Sequence, residues 1–234
     1  MKNFRKITAA VLVFVLAFCL CGCSVIENLF GGSAEFAPTE SSIFIKKDRT
    51  ITGAEIESFD NSQFDTPRYS ETELLTFAED LVKAYNKEQV NLEFAYASDV
   101  AEEEDVTLPV AIQSLTVSGK TATLLIDYED YKDYLQFNGT SYGVPVQNLI
   151  VGTVADGVSS DLTFENMQAV EKGAVAGAAD PAEIMEKTKY MLVAVTGETL
   201  VSVEGTVKYI SDGITYVNEN TVRVNGSNQY IIFK

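Results

Sequence analysis

The sequence predicts an α+β fold: a β-hairpin, a helix, a second β-hairpin, a short helix, a strand, and then a β-rich C-terminal portion of short antiparallel strands. Three observations carry this reading. Apolar residues recur at helical spacing from Leu74 to Tyr85. Alternating apolar runs bounded by turn residues lie on both sides of that stretch. Residues 189–234 break into brief β-rich runs separated by Gly, Asn and Asp. With 234 residues, of which 46% are hydrophobic, the chain has material for an ordinary core in one or two domains.

The elements follow in order. Ile43-Phe44-Ile45, the charged Lys46-Lys47-Asp48-Arg49 and the alternating run from Thr50 to Ile56 read as apolar strand, turn and return strand. Ser70 with Glu73 three residues later is a capping box, in which each side chain satisfies an orphan backbone N–H. Leu74, Phe77, Ala78, Leu81 and Tyr85 then form one apolar stripe, with acids early and Lys83 and Lys87 late, as the helix dipole favours. Residues 87–107 are polar and read as a loop. Val110, Ile112, Leu115 and Val117 predict a strand whose alternation slips after Ile112. Ser118-Gly119-Lys120 is a turn, and Thr121 to Asp127 returns as the partner strand.

Glu129 to Phe137 reads as a short helix stopped by Asn138-Gly139, and Asn148 to Val154 as a buried strand. Residues 156–188 read as a poorly defined connection in which KGAVAGAA (172–179) offers little to pack, before Asp180-Pro181 opens a helix. In 189–234 the runs are Met191–Val195, Leu200–Val203, Val207–Ile210, Ile214–Val217, Thr221–Val224 and Gln229–Phe233. Asp212-Gly213 is the strongest hairpin signal among them. This β-rich part is expected to pack with the α+β part, 43–155, as one unit.

The N-terminus reads as an address. Lys2, Arg5 and Lys6 precede the apolar run Val11 to Leu20, which is too short for a membrane span and has the length of a signal-peptide core. Leu20-Cys21-Gly22-Cys23 resembles the lipobox of bacterial lipoproteins. The resemblance implies cleavage after residue 22, a diacylglycerol thioether on Cys23 and an extracytoplasmic, membrane-anchored protein. Residues 1–22 are then the signal peptide and 23–42, mixed in Gly, Ser, Pro and Glu, a lipid-anchored flexible tether. The other two cysteines, Cys19 and Cys21, leave with the leader, so the mature chain keeps no thiol beyond the acylated one. The lipobox, SSIFIKKDRTITGAEIESFD (41–60), the helix containing KAYNKE, SLTVSGKTATLLIDYEDYKDYLQFNG (114–139), LIVGTV (149–154) and the terminal YIIFK together resemble uncharacterised surface lipoproteins of anaerobic Gram-positive bacteria. That likeness spans nearly the whole mature chain and implies no catalytic residue and no cofactor.

Composition narrows the chemistry. The chain has no His, which excludes Ser-His-Asp and Cys-His catalysis and His-ligated metal. A net charge of −17 argues against nucleic acid, whose binding needs a basic stripe. Ser118-Gly119-Lys120-Thr121 has the tail of a phosphate-binding loop, but Ala111 to Val117 contains no Gly and the following residues read as a strand, so no nucleotide is expected. Glu102, Glu103, Glu104 and Asp105 are the candidate ion-binding run, for Ca²⁺, although no D-x-[DN]-x-[DN]-G loop accompanies them; a solvated acidic loop is the plainer reading. Tyr128, Tyr131 and Tyr134 recur at spacing three and either contact a partner or cover the sheet, burial being the favoured reading. The functional expectation is a non-catalytic binding or structural module. Its partners are the membrane, through acylated Cys23, and a surface protein or glycan. The alternatives are a cell-envelope hydrolase using carboxylates or Ser/Lys, and a Ca²⁺-dependent adhesion module.

Overall fold

A computed structural model describes residues 36–58, 70–101, 106–139 and 144–234. The fold is mixed α+β and mostly β: eleven strands and four α-helices lie among the described residues. The chain divides into two compact units. The first takes in Ala37–Ser41 and Ile51–Gly139, the second Ser42–Thr50 and Thr140–Lys234.

The first unit is a three-stranded antiparallel sheet with two helices. Its strands are β2 (Ile51–Ser58), β3 (Val110–Ser118) and β4 (Thr121–Tyr128), with β4 in the middle. The β3–β4 hairpin turns at Gly119, whose φ of 61° suits glycine. The slip seen in the sequence after Ile112 is a bulge: the register shifts between Ile112 and Ser114, and Gln113 is left facing solvent.

Helix α1 (Glu71–Val90) starts as predicted, with Ser70 and Glu73 closing a capping box. Its buried line differs from the expected stripe. Ala78, Val82 and Asn86 are buried, while Phe77 is 38% exposed. The line runs at i, i+4, i+8, so the helix is turned by part of a residue step from the stripe the apolar letters alone suggested. Asn86 closes it because its amide is fully used. Nδ2 donates to the carbonyls of Phe94 (2.8 Å) and Val110 (2.7 Å), and Oδ1 accepts from the Val110 N–H (3.2 Å). A polar residue thereby joins α1 to β3. Helix α2 (Tyr131–Asn138) is capped by Asp130, whose Oδ1 accepts from the Lys132 and Asp133 N–H groups. It ends at Gly139, where φ is 82°, as the Asn-Gly signal predicted.

The second unit is built on two strands of thirteen residues, β8 (Met191–Val203) and β11 (Thr221–Phe233), paired antiparallel along their length. Along the other edge of β8, β5 (Val146–Thr153) runs antiparallel to its first half, and β1 (Ser42–Ile45) runs parallel to its last four residues. The charged turn after β1 forms as expected: the Lys46 N–H donates to the Thr50 carbonyl and the Arg49 N–H to that of Lys46.

Beyond β11 lie β9 (Val207–Ser211) and β10 (Thr215–Asn218), then β6 (Met167–Glu171) against β9 and β7 (Ala174–Ala178) against β6. Residues 156–188 thus contain a hairpin and two short helices, α3 (Val154–Ser159) and α4 (Pro181–Glu186). Asp180 caps α4 with Pro181 in its first turn, as predicted. The small residues of KGAVAGAA supply β7, all five of whose residues are exposed. Val154, Phe164, Met167, Ile184, Leu192, Tyr209 and Ile232 form this unit's apolar cluster.

Two expectations for the C-terminal part are corrected. The six short runs are four strands, because Gly197 and Gly226 do not end strands; they face each other inside the β8–β11 pair. Gly197 is needed for close approach. A Cβ there would sit 2.1 Å from the Pro145 carbonyl oxygen, so the backbone of β5's lead-in occupies the space of a side chain. The Asp212-Gly213 turn forms, with the Ile214 N–H donating to the Ser211 carbonyl, yet β9 and β10 make no ladder with each other. Each pairs with a different end of β11, which is long enough to take both.

Candidate functional site

A concavity lies on the second unit, on one face of β5, β8 and β11. Residues directly opposite in antiparallel strands share a face, so the register sorts this face into three rows. Asn148 faces Thr196, with Asn228 beside it. Ile150 faces Ala194, which faces Tyr230. Gly152 faces Leu192, which faces Ile232. Helix α3 covers the third row. It comes so close that a Cβ on Gly157 would stand 2.7 Å from Leu192 Cδ2 and 3.1 Å from Phe164 Cζ, so a side chain there would make both neighbours shift. The first two rows stay open, and with the flank of α3 they bound a groove of 210 Å³.

Local structure holds the polar row in place. The register shifts between Gly226 and Gln229, and this bulge carries Asn228 at a φ of 51°. Buried Gln229 pins the bulge by accepting from the Asn225 N–H (3.0 Å), and the Asn228 N–H donates to Thr196 Oγ1 (3.0 Å). Asn is one of the residues that adopts a left-handed backbone readily. Among the described residues, the side-chain amides of Asn148 and Asn228 and the Tyr230 hydroxyl make no hydrogen bond, so they are open to a ligand. Ile150 is 49% exposed on the groove floor.

The carboxylate at the groove, Asp156, is committed to structure. Its Oδ2 accepts from the Thr153 N–H (2.8 Å) and the Thr153 hydroxyl (2.9 Å) in the capping box of α3, and from Arg49 Nη2 (3.2 Å). The Thr153 bonds first, and then the Arg49 charge, hold its carboxyl below the usual aspartate range. It stays ionised and is poorly suited to trade protons.

A second set of unusual groups lies in the first unit. Glu55 and Glu57 point to the same face of β2, where their opposite numbers on β4 are Leu124 and Ala122. Burial pushes the Glu55 carboxyl up to about 7. Burial and then the neighbouring Glu55 charge push Glu57 up to about 8. On that face Tyr128 and Tyr134 meet edge to face with ring centroids 5.0 Å apart, and the Asn138 amide donates to the Tyr128 hydroxyl (3.1 Å). Burial, the largest cause for both, raises these phenols above the ordinary tyrosine range.

The sequence-predicted residues fare unevenly. Cys23 and the run Glu102, Glu103, Glu104 and Asp105 lie outside the described residues. Tyr128 and Tyr134 are 2% and 4% exposed, so they cover the sheet and offer no surface to a partner. Tyr128 is the last residue of β4, ahead of the helix that carries Tyr131 and Tyr134. Tyr131 is half-buried, with the Lys132 ammonium 5.8 Å from its ring centroid. Ser118-Gly119-Lys120-Thr121 is the β3–β4 turn. Among the described residues no group of three or more carboxylates or thiols is placed to hold a metal ion, and no helix is long and apolar enough to cross a membrane. The groove residues were missed because they come from three strands far apart in sequence; Asn225-Gly226, read only as punctuation, stands at the start of the bulge. Compared with known protein families, curated proteins and solved structures, the chain matches none.

Proposed function

We propose that the protein is a lipid-anchored, extracytoplasmic binding module, acylated at Cys23, that holds its ligand in the β5–β8–β11 groove without converting it. One observation carries the binding reading: the groove leaves neutral hydrogen-bonding groups unspent while its carboxylate is engaged by three donors. That division suits holding a ligand and does not suit general acid–base chemistry. The anchor rests on Leu20-Cys21-Gly22-Cys23 and its basic, apolar leader.

The test uses the full chain in a Gram-positive host. The wild-type protein should fractionate with membranes and the Cys23→Ser form should not; a Cys23→Ser protein still on membranes overturns the anchor. A photoreactive side chain at Ile150 should give light-dependent adducts on whole cells, weakened when Ala194→Leu fills the floor. Absence of adducts overturns groove binding.

A second reading, an envelope hydrolase acting through carboxylates, draws support from Glu55 and Glu57. Two acids side by side on one strand face, both with raised proton affinity, are what acid–base catalysis uses. Steady release of product from cell-wall glycan, abolished by Glu55→Gln, would replace the binding reading.

A further inference from the structure

Resting on the reading of the groove as a binding site, we propose that its ligand is a neutral saccharide. One sugar ring would lie on the Ile150–Ala194–Tyr230 row, with its hydroxyls against Asn148, Thr196 and Asn228.

Three features of the groove point to this chemistry. The first is the pairing of rows. A sugar ring has an apolar C–H face and a rim of hydroxyls, each both donor and acceptor. The middle row supplies an apolar strip with an aromatic ring at one end. The row beside it supplies two side-chain amides and a hydroxyl, which also donate and accept. The Tyr230 hydroxyl adds one more such group, with an aromatic body beneath it.

The second feature is charge. The open polar groups are neutral, and the Asp156 carboxylate is held by Thr153 and Arg49. A cationic ligand would meet a carboxylate whose charge Arg49 already offsets. An anionic one would meet the field of a chain at −17.

The third feature is size and rigidity. At 210 Å³ the groove is smaller than the roughly 300–1,000 Å³ of pockets that enclose a drug-sized molecule, so it takes a single ring and leaves the rest of a chain outside. The rows stand on paired strands, and the bulge that presents Asn228 is pinned by Gln229, so the site is formed before the ligand arrives.

The experiment is a titration of the full chain, purified in a zwitterionic detergent because sugar-headed detergents would compete. The probes are maltotriose, triacetylchitotriose, glucuronic acid and spermine, read by calorimetry. At least one neutral trisaccharide should bind, with a Kd on the order of 1 mM, the range expected for one ring at ordinary ligand efficiency. Glucuronic acid and spermine should give no heat. Asn148→Ala, at an exposed position, should weaken binding about three- to tenfold, the worth of one hydrogen bond. Ala194→Leu should abolish it without moving the melting temperature.

Failure of both trisaccharides overturns the proposal. So does a trisaccharide that binds Ala194→Leu as well as wild type, since the ligand then sits elsewhere. If glucuronic acid or spermine binds instead and Ala194→Leu blocks it, the saccharide assignment falls while the binding groove stands. Loss of the Ile150 adducts on cells removes both.

Discussion

Glu55→Gln should stabilise the first unit at neutral and alkaline pH and leave it unchanged in acid. The cause is the place of Glu55 on the sheet face opposite Leu124, where burial lifts its carboxyl from an ordinary 4.5 to about 7. In the unfolded chain the group ionises near its ordinary value. Above that pH the unfolded state gives up a proton that the folded state retains, so stability falls as pH rises. The fall starts near pH 4.5, is complete near pH 7 and stays constant above. Each pH unit in the window is worth about 1.4 kcal/mol, which sets a ceiling of about 3 kcal/mol. Glu55 is half-buried, so solvent screening lowers the expected figure to about 2 kcal/mol. Glutamine keeps the shape and removes the charge. Hydrogen exchange of the β2 and β4 amides reads this unit by itself. Measured at pH 5 and pH 8, the gain should be about 0.5 kcal/mol at the lower pH and about 2 kcal/mol at the higher. Equal gains at both values, or a loss at pH 8, would refute the assignment of burial as the cause.

Two further substitutions test the packing. Asn86→Leu should destabilise the first unit by about 3 kcal/mol in urea unfolding, because it strands the Val110 N–H and two carbonyls in a buried site; a neutral result would mean that water replaces the amide there. Gly197→Ala should cost about 3 kcal/mol or more and lower the yield of folded protein. A Cβ there lands 2.1 Å from the Pro145 carbonyl oxygen, and backbone yields less readily than a side chain; wild-type melting would show that β5 shifts freely.

What could be read from the letters was local. The Ser70–Glu73 box, the Asn138-Gly139 stop, the Gly119 turn and even the bulge after Ile112 are each decided within a few residues, and each is present. Asn86 went unseen because a polar residue in a helix reads as solvent-facing until the carbonyls it serves are known. Phe77 misled in the opposite way: its size suggested burial, while the helix face that packs is fixed by its neighbours. Gly197 and Gly226 were read as strand ends since glycine usually punctuates, whereas here two glycines facing each other let long strands run through. The groove is the extreme case. Asn148, Thr196 and Asn228 carry no mutual signal in the sequence, and only the pairing of β5, β8 and β11 makes them neighbours.

The parallel pairing of β1 with the end of β8 has a consequence for the order in which the chain matures. The backbone N–H of Lys47, just after β1, is held by Glu204, 157 residues further on. At synthesis rates of about 5–20 residues per second, β1 waits roughly 10–30 s before its partner exists. Ile43, Phe44 and Ile45 are all buried in the finished protein, so for that interval an apolar strand lacks its β8 partner. Contacts of such long span close slowly even once both ends are present. The first unit, whose β2–β4 pairing spans at most 77 residues, is free to form in that time. Completion of the second unit is therefore set by arrival of the late strands, and a chaperone that shields residues 42–45 should raise the yield of folded protein more than one acting on any later strand.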